Sequence, residues 1–439
     1  MIELTGAEIA ELTNGDGLVD AEVSGVAIDS RTVQPGDLFV ALAGERTDGT
    51  RFVDQALAAG AAAALVRRGE EGPGRIAVDD PLEALAVIAL EVRLRSQAQV
   101  VGITGSTGKT STKDILAALV APHATVVASR QNENNELGVP LTVTRMEIAT
   151  EVAVVEMAMR GIGQIAYLAA IARPQIGIIT GIGPVHLELL GTVERVAQAK
   201  AELLESLPAD GVAIVPHDEP LLAAHLAGLA CPVVTFGSGP GADVRLLSFH
   251  AGDGGGQAEI ELRGRTFQIP VNFTAPHNAV NLTAAAAAFD ALGLPLDGLA
   301  EGASAVAFSR WRGEELTLAG GGLLIADCYN ANPTSMRAAL EHLTEVAGGR
   351  RRVAVLGEMA ELGPDADRYH AEVGEVAARL RIEQIVAVGP RARVYGGSWF
   401  ATVAEAREAL AGLIEPGDAV LVKASRSMGL EALVEAIAP

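Results

Sequence analysis

Residues 100–116 read VVGITGSTGKTSTKDIL, and the fold of the chain can be worked out from this stretch. A short apolar run ends at Ile103, a Gly-rich turn follows, and apolar residues then recur at helical spacing from Ile115 to Val120. In a strand, turn and helix of this kind, backbone N–H groups and the helix N-terminus point at one anion. Lys109 is then expected to reach the terminal phosphates of a nucleotide, and the Thr110 hydroxyl to bind Mg²⁺. The predicted phosphate loop consists of Gly105, Ser106, Thr107, Gly108, Lys109, Thr110 and Ser111.

The loop departs in one respect from the common spacing of phosphate loops, in which about four residues separate the two glycines. Here Ile103 occupies the position of the expected glycine, and the preceding glycine is Gly102. The alternative to a nucleotide site is a plain glycine turn with a solvated lysine. The flanking strand and helix, and the scarcity of lysine in the chain, favour the nucleotide site.

Length and composition indicate a large globular protein. The chain has 439 residues, of which 49% are hydrophobic, and this length predicts about three domains. No apolar run is long enough to span a membrane, and the start, MIELTGAEIAEL, lacks the basic flank and apolar core of a signal peptide. Cys231 and Cys328 are the only cysteines, which gives no disulfide framework. We expect a cytoplasmic protein that does not insert into a membrane.

The charge of the chain limits its partners. The formal net charge is −22, from 33 basic and 55 acidic residues, which argues against binding to nucleic acid or to anionic membranes. A bound nucleotide must therefore be held by local groups. Because arginine meets almost every general need for positive charge here, each lysine is expected to do what only an amine can do. The lysines are Lys109, Lys113, Lys200 and Lys423.

Apolar strands alternate with amphipathic helices, which predicts an α/β fold with mostly parallel sheets. We expect an N-terminal domain at 1–97, a central P-loop-type domain at 98–309 and a C-terminal Rossmann-like domain at 310–439. An Ala-rich helix is predicted near 54–64. The segment AEIELRGRTFQI predicts a hairpin that turns at Arg263 and Gly264, followed by a helix from about 277. Further strands are predicted near 100–103, 152–156, 176–180, 212–215, 233–236, 323–326, 352–356, 384–388 and 418–422.

The loop spacing G-x-T-G-[ST]-x-G-K-[ST] resembles that of the ATP-dependent Mur ligase family, which builds the peptide stem of peptidoglycan. The resemblance extends almost from end to end. DCYNANPTSM at 327–336 is the discriminating stretch, because members that add the third residue of the stem carry a different motif there. The other similar stretches are RQNENNELGVP (130–140), EMAMRGIGQI (156–165), GIGPVHLELLGTVERVAQAKAELLE (181–205), APHNAVNLTAAAAA (275–288), VLGEMAELG (355–363) and VKASRSMGLE (422–431).

The resemblance implies the last-acting ligase of the family, which uses ATP and Mg²⁺ to make an amide in two steps. ATP phosphorylates the free carboxylate of UDP-N-acetylmuramoyl-tripeptide, and the amine of D-alanyl-D-alanine then attacks the acyl phosphate. The partners would be these two small molecules, and no motif says whether the third residue of the tripeptide is diaminopimelate, lysine or ornithine. The expected oligomeric state is a monomer, although no motif bears on it.

The resemblance also implies metal ligands and catalytic groups. Glu156 ends an apolar strand, where a carboxylate at the carboxyl edge of a parallel sheet can reach a metal at the phosphate loop. In the family, the lysine of a K-x-E sequence, here Lys200, carries CO₂ as a carbamate and binds a second Mg²⁺. The alternatives are a solvated strand end for Glu156, an ordinary hydrogen-bonded histidine for His186 and a helix-surface ion pair for Lys200. The implied metal ligands are Thr110, Glu156, His186 and Lys200, and the implied catalytic residues are Lys109, Lys200, His186 and Arg310.

Further ATP contacts are implied in the central and C-terminal domains. Asn278 and Asn281 would approach the adenine, Asp327 the ribose and Asn330 the phosphates, whereas Arg310 would reach the γ-phosphate across a cleft. As alternatives, the first two asparagines would serve as helix caps, Arg310 would be a solvated hinge residue, and YNANP would be the turn before a helix. The role of Lys423 stays open.

Substrate contacts are implied for Ser30, Arg31, Asn134, Asn135 and Asn332. In the N-terminal domain, DSR at 29–31 and GERTDG at 44–49 resemble the part that holds UDP, and Arg31 is expected to contact the diphosphate or the uracil. Asn134 and Asn135 lie in an amide-rich loop that would bind substrate or nucleotide, and Asn332 would approach the dipeptide. The alternative for the amide-rich loop is turn formation.

Three other functions fit parts of the sequence. One is another amide ligase of the superfamily, adding the third stem residue or adding glutamate to folate, and YNANP argues against both. The second is a P-loop NTPase that drives a conformational switch, and the third is a non-enzymatic nucleotide-binding module. ATP turnover that requires both the acceptor and the amine would distinguish the ligase from these alternatives.

Overall fold

The computed structural model describes residues 1–44, 47–252 and 254–438. In these ranges the chain forms three α/β domains, each built on its own main sheet, and the predicted fold class is confirmed. The proposed boundaries after residues 97 and 309 lie in the connections between these sheets. Across the described ranges, no helix combines the length and the apolar character needed to cross a membrane.

The first domain contains a four-stranded parallel sheet and a short antiparallel pair of strands. Its elements are β1 (Leu4–Thr5), α1 (Gly6–Leu12), β2 (Glu22–Val23), β3 (Gly25–Ala27), β4 (Asp37–Val40), α2 (Val53–Ala58), β5 (Ala63–Arg67), β6 (Arg75–Val78) and α3 (Pro81–Arg95). The sheet order is β3-β4-β5-β6. The prediction of a helix over 54–64 is wrong at its C-terminal end: α2 ends at Ala58 because Gly60 takes a φ of +107° and turns the chain toward β5.

The central domain contains a nine-stranded sheet with helices on both faces. Its elements are β7 (Gln99–Thr104), α4 (Lys109–Val120), β8 (Val126–Ala128), α5 (Gly138–Thr144), β9 (Val152–Glu156), α6 (Gln164–Ala172), β10 (Ile176–Ile179), α7 (Leu187–Leu190), α8 (Val193–Glu205), β11 (Val212–Pro216), α9 (Ala223–Leu226), β12 (Val233–Gly237), β13 (Val244–Gly252), β14 (Gly255–Leu262), β15 (Arg265–Val271) and α10 (Pro276–Ala291). The sheet order is β15-β14-β13-β12-β11-β10-β7-β9-β8. The Ala-rich helix α10 is buried along most of its length and packs against α4, since small side chains allow a close approach.

The far end of the central sheet is an antiparallel extension made by β13, β14 and β15. The predicted hairpin is confirmed, and Arg263 and Gly264 both take positive φ at its turn. Strand β13 was not predicted from the sequence. Its register shifts between Leu246 and Ser248, and this irregularity interrupts the alternation that marks a strand.

The third domain contains a six-stranded sheet, parallel except for its first strand. Its elements are β16 (Glu314–Thr317), β17 (Leu323–Ala326), α11 (Pro333–Val346), β18 (Arg352–Gly357), α12 (Ala366–Arg379), β19 (Gln384–Val388), β20 (Ser398–Phe400), α13 (Val403–Leu413), β21 (Ala419–Lys423) and α14 (Glu431–Ile437). The sheet order is β16-β17-β21-β18-β19-β20.

The carboxyl edges of the central and third sheets face each other. In the central sheet, β7 lies between β9 and β10, so the segments that follow these three strands meet at one edge. In the third sheet, β21 lies between β17 and β18 in the same way. The two edges touch where Asn332 Nδ2 donates to the carbonyl of Ser106 at 3.3 Å. The fold therefore places the phosphate loop opposite the YNANP stretch.

Candidate active site

The phosphate loop connects β7 to α4 and leaves the N-terminus of α4 open. Gly108 precedes the helix with a φ of +81°, and no side chain in the described ranges caps the first turn. A Cβ added at Gly108 would lie 2.6 Å from Oδ1 of Asn281, so glycine is required both by the backbone and by this neighbour. The uncapped N–H groups and the helix dipole are suited to hold a phosphate.

Other loop residues are fixed by the segment that follows β10. The backbone N–H of Ser106 donates to the carbonyl of Gly181 at 2.8 Å, and its hydroxyl accepts from the N–H of Gly183 at 2.9 Å. Lys109 Nζ donates to the carbonyl of Gly105 at 2.8 Å and so lies over the loop. Burial lowers the pKa of Lys109, the charge of Arg312 lowers it further, and the charge of Glu156 opposes both.

Two predicted metal ligands below the loop have buried oxygens without a partner. In the described part of the chain, Oγ1 of Thr110 and Oε2 of Glu156 are buried and form no hydrogen bond. The other carboxylate oxygen of Glu156 accepts from Asn134 Nδ2 at 2.8 Å, so Asn134 holds this side chain in place. Asn135 Oδ1 instead accepts from the N–H of Gly138 at the start of α5. Buried oxygens rarely lack partners, and a bound cation is one explanation for such a pair.

Lys200 lies on α8, is 2% exposed, and has no hydrogen bond or ion pair within the residues that the structure describes. Burial and the nearby charge of Lys109 lower the pKa of Lys200 well below its ordinary value. The alternative of a helix-surface ion pair is therefore excluded. Glu202 does not pair with it, because its carboxylate accepts from the N–H groups of Gly163 and Ala166 at the start of α6.

His186 lies at the start of α7 with a φ of +55°. Its Nδ1 hydrogen-bonds to Oε2 of Glu361, which belongs to the third domain, and this bond lowers the pKa of Glu361. No group of three or more His, Cys, Asp or Glu side chains in the described ranges is arranged to hold a metal. Sequence reasoning missed Glu361, although it lies in VLGEMAELG.

The predicted adenine contacts lie beside the loop. Asn278 and Asn281 are buried in the first turns of α10, and Nδ2 of Asn281 donates to Oδ1 of Asn278 at 3.1 Å. His277, the residue before them, is half-buried. Burial lowers its pKa to about 4, the charges of His342 and Lys423 add to the effect, and Asp327 opposes it.

In the third domain, Lys423 organises the segment that follows β17. Its Nζ donates to Oδ2 of Asp327 at 2.7 Å and to the carbonyl of Asn330 at 2.9 Å. Asn332 caps α11 by accepting from the N–H of Ser335 at 2.9 Å, while its Nδ2 reaches Ser106. The role that the sequence left open for Lys423 is therefore to fix the residues predicted to contact ribose and phosphate. Asn332 therefore serves both as the N-terminal cap of α11 and as a contact between the third and central domains.

Arg310 and Arg312 are placed differently. Arg310 is exposed, and its guanidinium stacks over Trp311 at 4.9 Å. Arg312 is half-buried, stacks over the ring of Tyr329 at 4.0 Å, and acts on the pKa of Lys109. Its Nε is buried and has no partner in the described ranges. The charge of Arg312 thus acts on the phosphate loop, whereas the assignment of Arg310 to the γ-phosphate stays a prediction. The only sequence signal for Arg312 is that it lies with Arg310 in SRWRG.

The first domain and the central domain enclose a cleft of about 510 Å³. Asp48, Arg67 and Asn135 are among the residues that line it. Ser30 and Arg31 are not: Ser30 Oγ donates to Gln55 at 3.3 Å, and Arg31 is exposed and paired with Asp29 at 2.6 Å. Two residues of the predicted GERTDG stretch, 45 and 46, lie outside the described residues.

Comparisons with known proteins match this architecture along the chain. The model of the "Mur ligase family, catalytic domain" matches residues 22–99, that of the "Mur ligase middle domain" residues 103–289, and that of the "Mur ligase, glutamate ligase domain" residues 311–426. The UDP-N-acetylmuramoyl-tripeptide–D-alanyl-D-alanine ligase of Bacillus subtilis (strain 168) is 36% identical over 455 residues, which cover 99% of this chain and 98% of that protein.

Two solved structures have the same overall fold. The crystal structure of MurF from Acinetobacter baumannii has a TM-score of 0.89 and 31% identity, and the match covers 99% of this chain and 98% of that one. MurF ligase from Thermotoga maritima, in complex with ADP, has a TM-score of 0.83 and 29% identity, with 94% and 97% covered. The resemblance drawn from the sequence motifs is confirmed, and the chain belongs to the Mur ligase family.

Proposed function

We propose that this chain is an ATP-dependent ligase that joins D-alanyl-D-alanine to UDP-N-acetylmuramoyl-tripeptide. The observation that carries the proposal is the opposition of two sheet edges, with the phosphate loop on one and YNANP on the other, in contact through Asn332 and Ser106. The name of the Bacillus subtilis relative supports the choice of substrates. We also propose that the enzyme acts as a monomer, because both sides of the cleft come from one chain. A cytoplasmic location is proposed because the reaction consumes ATP.

ATP would lie across the cleft between the two edges. The Thermotoga maritima relative was solved in complex with ADP, which supports the binding of an adenine nucleotide by this chain. Its phosphates would be held by the loop from Gly105 to Ser111 and by the open N-terminus of α4. Asn278 and Asn281 are proposed for the adenine. Asp327, held by Lys423, is proposed for the ribose, and Asn330 for the phosphates.

The residues below the loop fit Mg²⁺. Hard cations prefer oxygen ligands, and Thr110 and Glu156 each offer a buried oxygen that nothing else in the described ranges engages. Thr110, Glu156 and His186 would hold Mg²⁺, and Lys200 would contribute once it is converted to a carbamate. When bound, Mg²⁺ would offset negative charge on the phosphates.

The proposed chemistry has two steps. A carboxylate oxygen of the tripeptide bonds to the γ-phosphorus of ATP, and the bond from that phosphorus to the bridging oxygen breaks, so ADP leaves. The amine nitrogen of D-alanyl-D-alanine then bonds to the acyl carbon, phosphate leaves and the nitrogen loses a proton. Lys109 and Arg312 would flank the transferred group and stabilise its charge, which is the main contribution a protein makes to phosphoryl transfer.

Lys200 is proposed to react with CO₂. A neutral amine attacks CO₂ and loses one proton, which gives an anionic carbamate in place of an ammonium. The lowered pKa of Lys200, caused first by burial, favours the neutral amine that this reaction needs. The carbamate also places a negative charge near Lys109, and arginine could not undergo this conversion.

The UDP part of the substrate is proposed to occupy the cleft of about 510 Å³ between the first and central domains. Arg67 provides a positive charge there and Asn135 an amide. Ser30 and Arg31 remain proposed substrate contacts although they do not line that cleft. The side chain of Arg31 is exposed to solvent.

Release of phosphate from ATP tests the proposal. The enzyme would be assayed with UDP-N-acetylmuramoyl-tripeptides that carry diaminopimelate, lysine or ornithine, each with and without D-alanyl-D-alanine. We expect sustained release only when an accepted tripeptide and the dipeptide are both present. Sustained ATP hydrolysis without either substrate would contradict the ligase and favour an NTPase.

A further inference from the structure

Glu361 is a third-domain residue whose side chain contacts only the central domain among the ion pairs and side-chain hydrogen bonds of the described ranges. It lies after β18, between Met359 and Gly363. Its Oε2 hydrogen-bonds to Nδ1 of His186, and its Oε1 lies 3.6 Å from Nε of Arg160. Both partners follow strands of the central sheet, at the edge that carries the phosphate loop.

The backbone at Glu361 is held in an unusual conformation by the same interface. Glu361 has a φ of +61°, which is uncommon for a residue other than glycine and persists where surrounding contacts enforce it. Its carbonyl accepts from the N–H of Glu188 at 3.4 Å. Gly363 also has positive φ and lies against the backbone of Leu187, where an added Cβ would be 3.3 Å from the nearest atoms. Docking of this segment therefore fixes the position of the carboxylate.

The hydrogen bond to Nδ1 determines what His186 can do. With Nδ1 engaged, Nε2 is the ring nitrogen that remains for a ligand, and the ring is oriented by a group that arrives with the third domain. Carboxylates that bind the second nitrogen of a metal-binding histidine fix its orientation and tautomer, and losing them typically costs about 10–100-fold in metal affinity or activity.

We propose that Glu361 is a positioning residue that couples docking of the third domain to the orientation of His186. When the third domain docks, the carboxylate turns Nε2 of His186 toward the cleft, so the site is complete only in the closed arrangement. The expected effects on kcat and KM rest on the proposed ligase function. The expected effect on hydrogen exchange does not.

The first test measures hydrogen exchange of the full-length chain without ATP or substrates, and so does not depend on activity. Glu361→Ala should speed exchange at residues 186–191 at least about tenfold, as expected when a local opening loses a stabilising contact. Asp365→Asn is the matched control, because that carboxylate pairs with Arg368 inside the third domain and its variant should leave exchange at 186–191 unchanged. Equal exchange in wild type and Glu361→Ala would overturn the proposal.

The second test measures kcat and KM. Glu361→Ala should lower kcat about 10–100-fold with a smaller change in KM for UDP-tripeptide, and Glu361→Gln should recover most of the rate because its amide oxygen still accepts from Nδ1. In a His186→Gln background, Glu361→Ala should cost nothing further, since it acts through His186. The proposal would be overturned if Glu361→Gln were as slow as Glu361→Ala, or if Arg160→Ala were as slow as either. It would also be overturned if Glu361→Ala caused its full loss of rate in the His186→Gln background. If the wild type has no ligase activity, the proposed function fails while the exchange measurement still decides the positioning role.

Discussion

Arg312→Ala should remove the guanidinium that faces the phosphate loop, and Arg310→Ala is its matched control two residues earlier. Arg312 is half-buried, stacks over Tyr329 at 4.0 Å and is close enough to Lys109 to lower its pKa. Arg310 is exposed and stacks over Trp311 at 4.9 Å. The two variants remove the same chemical group from the same segment, so they differ only in where that group points.

The expected magnitudes follow from these positions. A unit charge about 4 Å from a phosphate oxygen, at an effective dielectric constant of about 20, contributes about 4 kcal/mol. Loss of one preorganised donor to a transition state typically lowers kcat about 10²–10³-fold. We expect a loss of this size for Arg312→Ala, with KM for UDP-tripeptide changed less than about threefold because the lost interaction forms at the transferred phosphoryl group. Arg310→Ala removes only an exposed cation–π contact, worth about 0.5–1 kcal/mol of stability.

Steady-state phosphate release at saturating substrates measures kcat, and thermal unfolding shows that both variants fold. Arg312→Lys is a third variant, which keeps the charge but loses the planar stack on Tyr329. Its kcat should lie between those of wild type and Arg312→Ala. A hundredfold loss in Arg310→Ala together with a near-normal Arg312→Ala would refute this reasoning and restore the assignment of Arg310 made from the sequence.

Three further predictions concern buried or half-buried cations and a histidine. Lys109→Ala should abolish amide formation in a folded protein, and Lys109→Arg should fail badly too, which the same phosphate assay checks. Lys200→Ala should be nearly inactive and partly rescued by acetate or formate, whereas full activity in Lys200→Arg would contradict the carbamate. The pKa of His277 is lowered to about 4, so the native state binds fewer protons than the unfolded state below about pH 6.5. The free energy of unfolding should therefore fall by up to about 3 kcal/mol as the pH drops from about 6.5 to 4, and His277→Asn should reduce this loss in denaturant titrations.

Local features of the molecule could be predicted from the sequence because they depend on residues that are contiguous in the chain. The apolar runs that became β7, β9, β10 and β18 are buried on both faces, so length and hydrophobicity alone identify them. The phosphate loop follows from glycines at fixed positions and the helix that starts at Lys109. The helix predicted near 54–64 is longer than the observed one, because alanine favours helix. The turn at Gly60, which ends it, depends on packing against Pro35, and that contact cannot be seen in the sequence.

Contacts between domains could not be predicted in this way. Nothing in SRWRG distinguishes Arg310 from Arg312, since the choice depends on Tyr329, which lies on a different segment and stacks on one of them. Likewise, Glu361 and His186 are 175 residues apart and meet only because two sheet edges face each other. Pairings of this kind depend on how whole domains dock, and no local propensity encodes that.

The central claim is that the tripeptide carboxylate attacks the γ-phosphate of ATP, and isotope transfer tests it most directly. The free carboxylate of UDP-N-acetylmuramoyl-tripeptide would be labelled with ¹⁸O and turned over with ATP and D-alanyl-D-alanine, and the released phosphate would be analysed by mass spectrometry. An acyl phosphate requires one carboxylate oxygen to leave with the phosphate, so one ¹⁸O per phosphate is the predicted result. Unlabelled phosphate formed alongside the amide product would contradict the account, because the carboxylate would then have been activated without bonding to phosphorus.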